Sequence, residues 1–173
     1  GDEPRAERIL LGALKQWDFE PDVFDALFDM YIDLERVDDA GRLFKDWSHH
    51  LVERERLRLL TNLFEAQGDY TKSLSLVMER EAKSGVPIKH EAIYLNLCAG
   101  NFSVAERLAR ETLTRYNFSP EADVETVNYE LARKAQSKKP DATRLEAVLK
   151  INSAPTTQAA IYHILGRKPE TLK

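Results

Sequence analysis

The 173-residue sequence predicts an all-α fold of consecutive helical hairpins, and three observations carry that expectation. Helix formers dominate: 43% of residues are hydrophobic and 31% charged, with only seven glycines and seven prolines to interrupt them. Apolar residues return three and four positions apart through most of the chain, the period of a helix with one buried face. A small residue opens alternate apolar segments at Ala6, Ala40, Ser73 and Ala105, with separations of 34, 33 and 32 residues. A recurrence of that length marks a stacked supersecondary unit, because a single hairpin cannot bury its own apolar face.

Residues 1–20 read as a partial first repeat. Asp2–Arg8 already begin a helix and Gly1 is an improbable natural start, so the expectation is a piece of a longer chain. Full repeats follow at about 21–53, 54–86 and 87–119. Pro21 suits a first helical turn, where a missing N–H is no loss. Phe24, Leu27, Phe28, Tyr31 and Leu34 then share one face, and after a polar break at Arg36–Asp39 come Ala40, Leu43, Phe44 and Trp47. The next unit has Leu57, Leu60 and Phe64, a turn at Gln67–Tyr70, then Ser73 and Val77. The third has Ala92, Ile93 and Asn96, a turn at Ala99–Phe102, then Ala105, Ala109 and Thr112. Gly68 and Gly100 fall in the turns, with Pro87 and Pro140 in links between helices. Residues 120–173 read as a divergent repeat with a capping helix: Ser119 caps a helix opening at Pro120, and helices are expected near 121–135, 141–151 and 156–166.

The run Phe24-x2-Leu27-Phe28-x2-Tyr31 followed by Ala40-x3-Phe44 resembles the tetratricopeptide repeat, and the resemblance covers residues 4–116. Phe28 stands where that family usually has glycine, Trp47 where it has a small residue, and Asn96 where it has tyrosine. The resemblance implies a right-handed α-solenoid whose first helices line a concave, ligand-holding groove. It also implies contacts from the inward faces of those helices.

Composition excludes several functions. A net charge of −4 opposes a dedicated nucleic-acid binder, which needs clustered Lys and Arg, and it favours a cationic partner. The one cysteine, Cys98, leaves no internal disulfide, which suits the cytoplasm, and it reads as a buried or half-buried structural thiol. No run of 18 to 20 apolar residues is long enough for a membrane span. His49 and His50 are adjacent and diverge on a helix, which makes them a poor chelating pair, and His90 and His163 stand apart. Neither a Ser-His-Asp signature nor a phosphate-binding Gly-rich loop occurs. The expectation is therefore a protein that is not an enzyme and that uses no cofactor or metal.

The candidate partner-binding residues lie on the first helices. Asp22, Asp25, Asp29 and Asp33, spaced 3, 4 and 4 apart, share one side of a single helix, the groove side by the repeat alignment. Like charges at these spacings repel and weaken the helix, so they invite a basic ligand, although any amphipathic helix also needs a solvated face. Arg58 and Asn62 occupy equivalent positions one repeat on, followed by His90 and Tyr94. Arg58 and Asn62 also match the start of the clamp by which some tetratricopeptide proteins hold a free carboxylate, but Glu91 stands where asparagine would complete it. The aromatic-rich first third reads mainly as core, with Trp17 and Phe19 as an alternative anchor for a partner. The leading expectation is a scaffold that binds a basic peptide or protein. The alternative is a regulatory or sensor segment of a larger multidomain, bacterial-type effector enzyme. Self-association through an uncapped end is a further expectation.

Overall fold

The computed structural model describes residues 2–119, 122–151 and 154–167. Those residues are all-α: helices α1 (Glu3–Gln16), α2 (Pro21–Asp33), α3 (Val37–Trp47), α4 (Glu53–Ala66), α5 (Tyr70–Ser84), α6 (Lys89–Cys98), α7 (Phe102–Arg115), α8 (Asp123–Ala135), α9 (Ala142–Ile151) and α10 (Pro155–Leu165), with a short 3-10 turn at Ser48–His50. No strand occurs among the described residues, and no helix there is long and apolar enough to cross a membrane. The helix start expected at Pro120 lies outside the described residues.

The chain forms two compact units, residues 1–85 and 86–173. In the first, α1 to α5 pack each on the next. One continuous core joins Leu14 to Phe24, Leu27, Phe28, Tyr31, Ala40, Leu43, Leu59 and Leu63. In the second, α6, α7 and α8 pack on one another, while α9 and α10 pack on α8 and on each other. Its core has two parts. One gathers Ile93, Ala109, Leu113, Ala122 and Tyr129, the other Val127, Leu145, Val148, Ile161 and Ile164.

A shared turn closes three hairpins. Helices α2, α4 and α6 end in three-residue links, Leu34–Arg36, Gln67–Asp69 and Ala99–Asn101, so the first break is shorter than expected and Val37–Asp39 already belong to α3. The middle residue is left-handed each time: φ is 57° at Glu35, 74° at Gly68 and 77° at Gly100. The following N–H reaches back to the carbonyl of Tyr31, Phe64 or Asn96 at 2.8 Å, which satisfies carbonyls that a helix end would otherwise leave bare. Glycine takes this conformation without cost, whereas Glu35 takes it against its own Cβ.

The small residues that follow each turn are fully buried: Ala40, Ser73 and Ala105 are all 0% exposed. The Ser73 hydroxyl donates to the Thr61 carbonyl of α4 at 3.2 Å, a contact that requires α5 to approach its hairpin partner's backbone. Ala6, at the corresponding place on α1, is exposed.

The units differ in charge. Residues 1–85 hold twelve Lys and Arg against nineteen Asp and Glu, a net −7; residues 86–173 hold thirteen against ten, a net +3. The modest overall charge conceals this opposition.

Candidate partner-binding surface

Helix α2 buries Phe24, Leu27, Phe28 and Tyr31, and the same periodicity turns its aspartates outward. Asp22, Asp29 and Asp33 are exposed and make no ion pair among the described residues. Asp25 is half-buried because Arg58 of α4 reaches it, Nη2 to Oδ2, at 2.7 Å. Arg58 also binds Glu55 through Nε at 2.8 Å. The predicted pair of neighbouring first helices is thus joined by one ion pair, and Arg58 is engaged within the protein.

The remaining stripe is electrostatically strained. Partial burial, then the charges of Asp25 and Asp33, push the Asp29 carboxyl up, with Arg58 opposing them. Asp29 and Asp33 also lie in the C-terminal half of α2, where the helix dipole disfavours anions. Asn62, half-buried on α4, has no hydrogen-bond partner for its amide among the described residues.

His90 and Tyr94 belong to the second unit. His90 Nδ1 lies against Glu125 Oε1 of α8, a buried oxygen that has no well-aligned hydrogen bond, so the contact becomes an ionic tie when the imidazole is protonated. Tyr94 is 46% exposed. Glu125 lies 35 residues from His90, and no helical period in the sequence links the two.

Sequence reading missed two further polar assemblies. In the first unit, Arg36 grips Glu7 of α1 at 2.7 and 2.9 Å, and the Tyr31 hydroxyl donates to the same carboxylate at 2.9 Å. Hydrogen bonds from Arg36 and then Tyr31 hold the Glu7 carboxyl low, while burial and then Glu7 push the Tyr31 hydroxyl up to about 12. In the second unit, Glu130 is 0% exposed and accepts from Arg133, Arg144 and the backbone N–H of Asp141. Glu106 is 5% exposed and is bound by Arg110, Gln136 and Lys138. Burial pushes its carboxyl up, but the Lys138 and Gln136 hydrogen bonds outweigh that and hold it low. Arg110, Arg133 and Arg144 surround the Tyr129 ring at 5.5–5.7 Å from its centroid, a cation–π arrangement. These groups are mutually satisfied and join α7, α8 and α9.

Other candidates resolve simply. Cys98 is exposed, not buried as expected, because it faces outward on the last turn of α6. His49 and His50 sit in the 3-10 turn after α3. His50 stacks on Phe19 at 4.9 Å, and Phe19 lies 5.6 Å from Phe24 and 6.3 Å from Trp47, centroid to centroid. Phe19 therefore belongs to the core edge, while Trp17 is 58% exposed. No group of three or more His, Cys, Asp or Glu able to hold a metal occurs among the described residues.

No protein-family model, curated protein or solved structure matches the chain.

Proposed function

We propose that the protein is a binding scaffold of tetratricopeptide-like hairpins, not an enzyme, and that the acidic face of α2 receives a basic segment of a partner protein. The observation that carries this reading is the contrast along α2: Asp25 is neutralised by Arg58, whereas Asp22, Asp29 and Asp33 stay exposed and unpaired. Asp29 and Asp33, four residues apart near the C-terminal end of α2, repel each other and weaken their own helix, and a cationic ligand turns that repulsion into attraction. The half-buried Asn62 amide supplies a neutral hydrogen-bonding group on the adjoining first helix. In this reading successive hairpins stack into a right-handed solenoid, the partner is cytoplasmic, and neither nucleic acid, membrane nor cofactor takes part.

The test is binding of an arrayed set of Lys- and Arg-rich peptides to the full chain. Asp29→Lys combined with Asp33→Lys leaves the Asp25–Arg58 pair intact, and the double variant should lose about tenfold or more in affinity while keeping its helical circular dichroism. Unchanged affinity would remove α2 from the binding surface.

A further inference from the structure

The second unit buries three carboxylates among its described residues, and they are not held alike. Glu106 is bound by Arg110, Gln136 and Lys138. Glu130 accepts from Arg133, Arg144 and the Asp141 backbone N–H. Glu125 is as deeply placed, at 5% exposed, but the one polar side chain against its carboxylate among the described residues is the His90 imidazole. Arginine and lysine keep their charge at all physiological pH, whereas histidine gains or loses its own between about pH 5 and 8. One buried carboxylate of the three therefore has a counter-ion that a proton switches on and off.

His90 stands in the first turn of α6 and Glu125 in the first turn of α8, so the contact joins two helices. A carboxylate this buried has lost most of its hydration, and without a charged donor that loss stays uncompensated. The imidazole is 66% exposed, so protons reach it from bulk water without any opening of the fold.

The neighbouring charged groups leave the pair to itself. On α6, Lys89 pairs with Glu111 of α7 at 3.6 Å, and Glu91 has contacts of its own. On α7, Glu111 is also held by Arg107 at 2.9 Å, and Arg115 makes no ion pair among the described residues. Asp123, in the first turn of α8, is engaged as well. Lys150, in the last turn of α9, is exposed and makes no ion pair among the described residues. On α10, His163 offers its carbonyl to Lys134 in the last turn of α8, away from Glu125.

We propose that His90 and Glu125 form a proton-operated latch between α6 and α8: protonation of the imidazole draws the two first turns together, and its loss releases them. A histidine that gains an anionic partner on folding holds its proton more tightly in the folded chain, so the contribution is full below the imidazole range and is lost as pH rises through it. Acidification from about pH 8 to about pH 6 thus tightens the second unit, and the gain disappears in stronger acid once the carboxylate itself is protonated. The latch lies wholly in the second unit and stands whether or not α2 binds a partner.

The test is urea unfolding of the full chain at about pH 8 and about pH 6. Both tryptophans lie in the first unit, so the second is read from the part of the far-ultraviolet circular dichroism transition that tryptophan fluorescence does not follow. Between the two pH values the parent's unfolding equilibrium constant should fall about threefold or more relative to that of His90→Gln; His163 is present in both chains and cancels. Glu125→Gln, which keeps the side chain's size and removes its charge, should lose the same pH-dependent part. Combined with His90→Gln, it should reveal coupling between the two sites in the acid condition and none in the alkaline one. The proposal is overturned if His90→Gln keeps the parent's response to pH. It is also overturned if the coupling is equal in both conditions, which would make the contact an ordinary neutral hydrogen bond. Should Glu125→Gln not fold, the comparison of the parent with His90→Gln decides alone, because His90 is exposed and its replacement leaves the core intact.

Discussion

The two units use one hairpin plan but fill it with different chemistry. Residues 1–85 are held by a single aromatic-rich core whose buried polar side chains are Thr61 and Ser73. Residues 86–173 divide their apolar core in two and bury Glu106, Glu125 and Glu130 among arginines, a lysine and a histidine. The first unit is stabilised chiefly by removing apolar surface from water, a force without direction that tolerates its acidic exterior. The second depends on partners in fixed geometry, since a buried carboxylate stabilises only while its donors remain in place. A repeat plan therefore specifies helix spacing and turn geometry, and leaves open how the interior is filled.

The largest effects should separate these two kinds of interior. Phe24→Ala should destabilise the first unit by about 3–5 kcal/mol, read by tryptophan fluorescence in urea because Trp17 and Trp47 both lie there. Glu130→Ala should cost a similar amount, about 3–5 kcal/mol, by leaving Arg133 and Arg144 without their buried partner; the part of the far-ultraviolet circular dichroism transition that tryptophan fluorescence does not follow reads the second unit. A Glu130→Ala loss under about 1 kcal/mol would show that water replaces the carboxylate readily and would erase the contrast.

Packing comes next. Ala105→Leu should cost about 1–3 kcal/mol by overfilling a sealed site, whereas Ala6→Leu on the open face of α1 should change stability by less than about 0.5 kcal/mol. Equal penalties would mean that the two positions are equally enclosed.

Turn substitutions should give opposite signs at equivalent positions. Glu35→Gly should stabilise by about 1 kcal/mol through relief of its left-handed conformation, and Gly68→Ala should destabilise by about 1 kcal/mol. The Gly68 effect is purely one of backbone conformation, because nothing lies within 4 Å of the position a Cβ would occupy. Thermal melts of the two variants moving in the same direction would break the equivalence of the turns.

The smallest effect concerns Asp29. Its carboxyl is raised above its ordinary value of 3.8, so ionisation is disfavoured in the folded chain and costs stability once the group is charged. Asp29→Asn should therefore stabilise at pH 7 by about 0.2–0.5 kcal/mol, a small gain because the side chain is exposed and solvent screens it. The gain should fade as pH drops through the raised value and vanish below 3.8, where the parent is already protonated. A gain that persists in acid would point to a cause other than charge.

The helices were largely legible because their signals are local. Pro21, Gly68 and Gly100 punctuate the chain, and Phe24, Leu27, Phe28 and Tyr31 announce a buried face within eight residues. The turn after α2 was harder to place: Glu35 adopts a glycine-like conformation that its identity conceals, so the start of α3 was placed three residues late. The aspartate stripe was visible as a spacing, but the neutralisation of Asp25 by Arg58 joins residues 33 apart and depends on how α2 meets α4. Glu106, Glu125 and Glu130 were invisible as buried groups, because glutamate on a helix ordinarily denotes solvent and only tertiary neighbours reverse that meaning. Exposure of Ala6 was hidden for the same reason, since a small residue looks alike whether or not a helix covers it.

Because Glu35 and Gly68 share one backbone state and one pattern of bonds, they are interchangeable splice points. Excising residues 36–68 would join Glu35 directly to Asp69 and regenerate the same link between α2 and α5. Duplicating that stretch would insert one more hairpin without inventing a new junction, so the length of such a chain can change in whole steps by recombination alone.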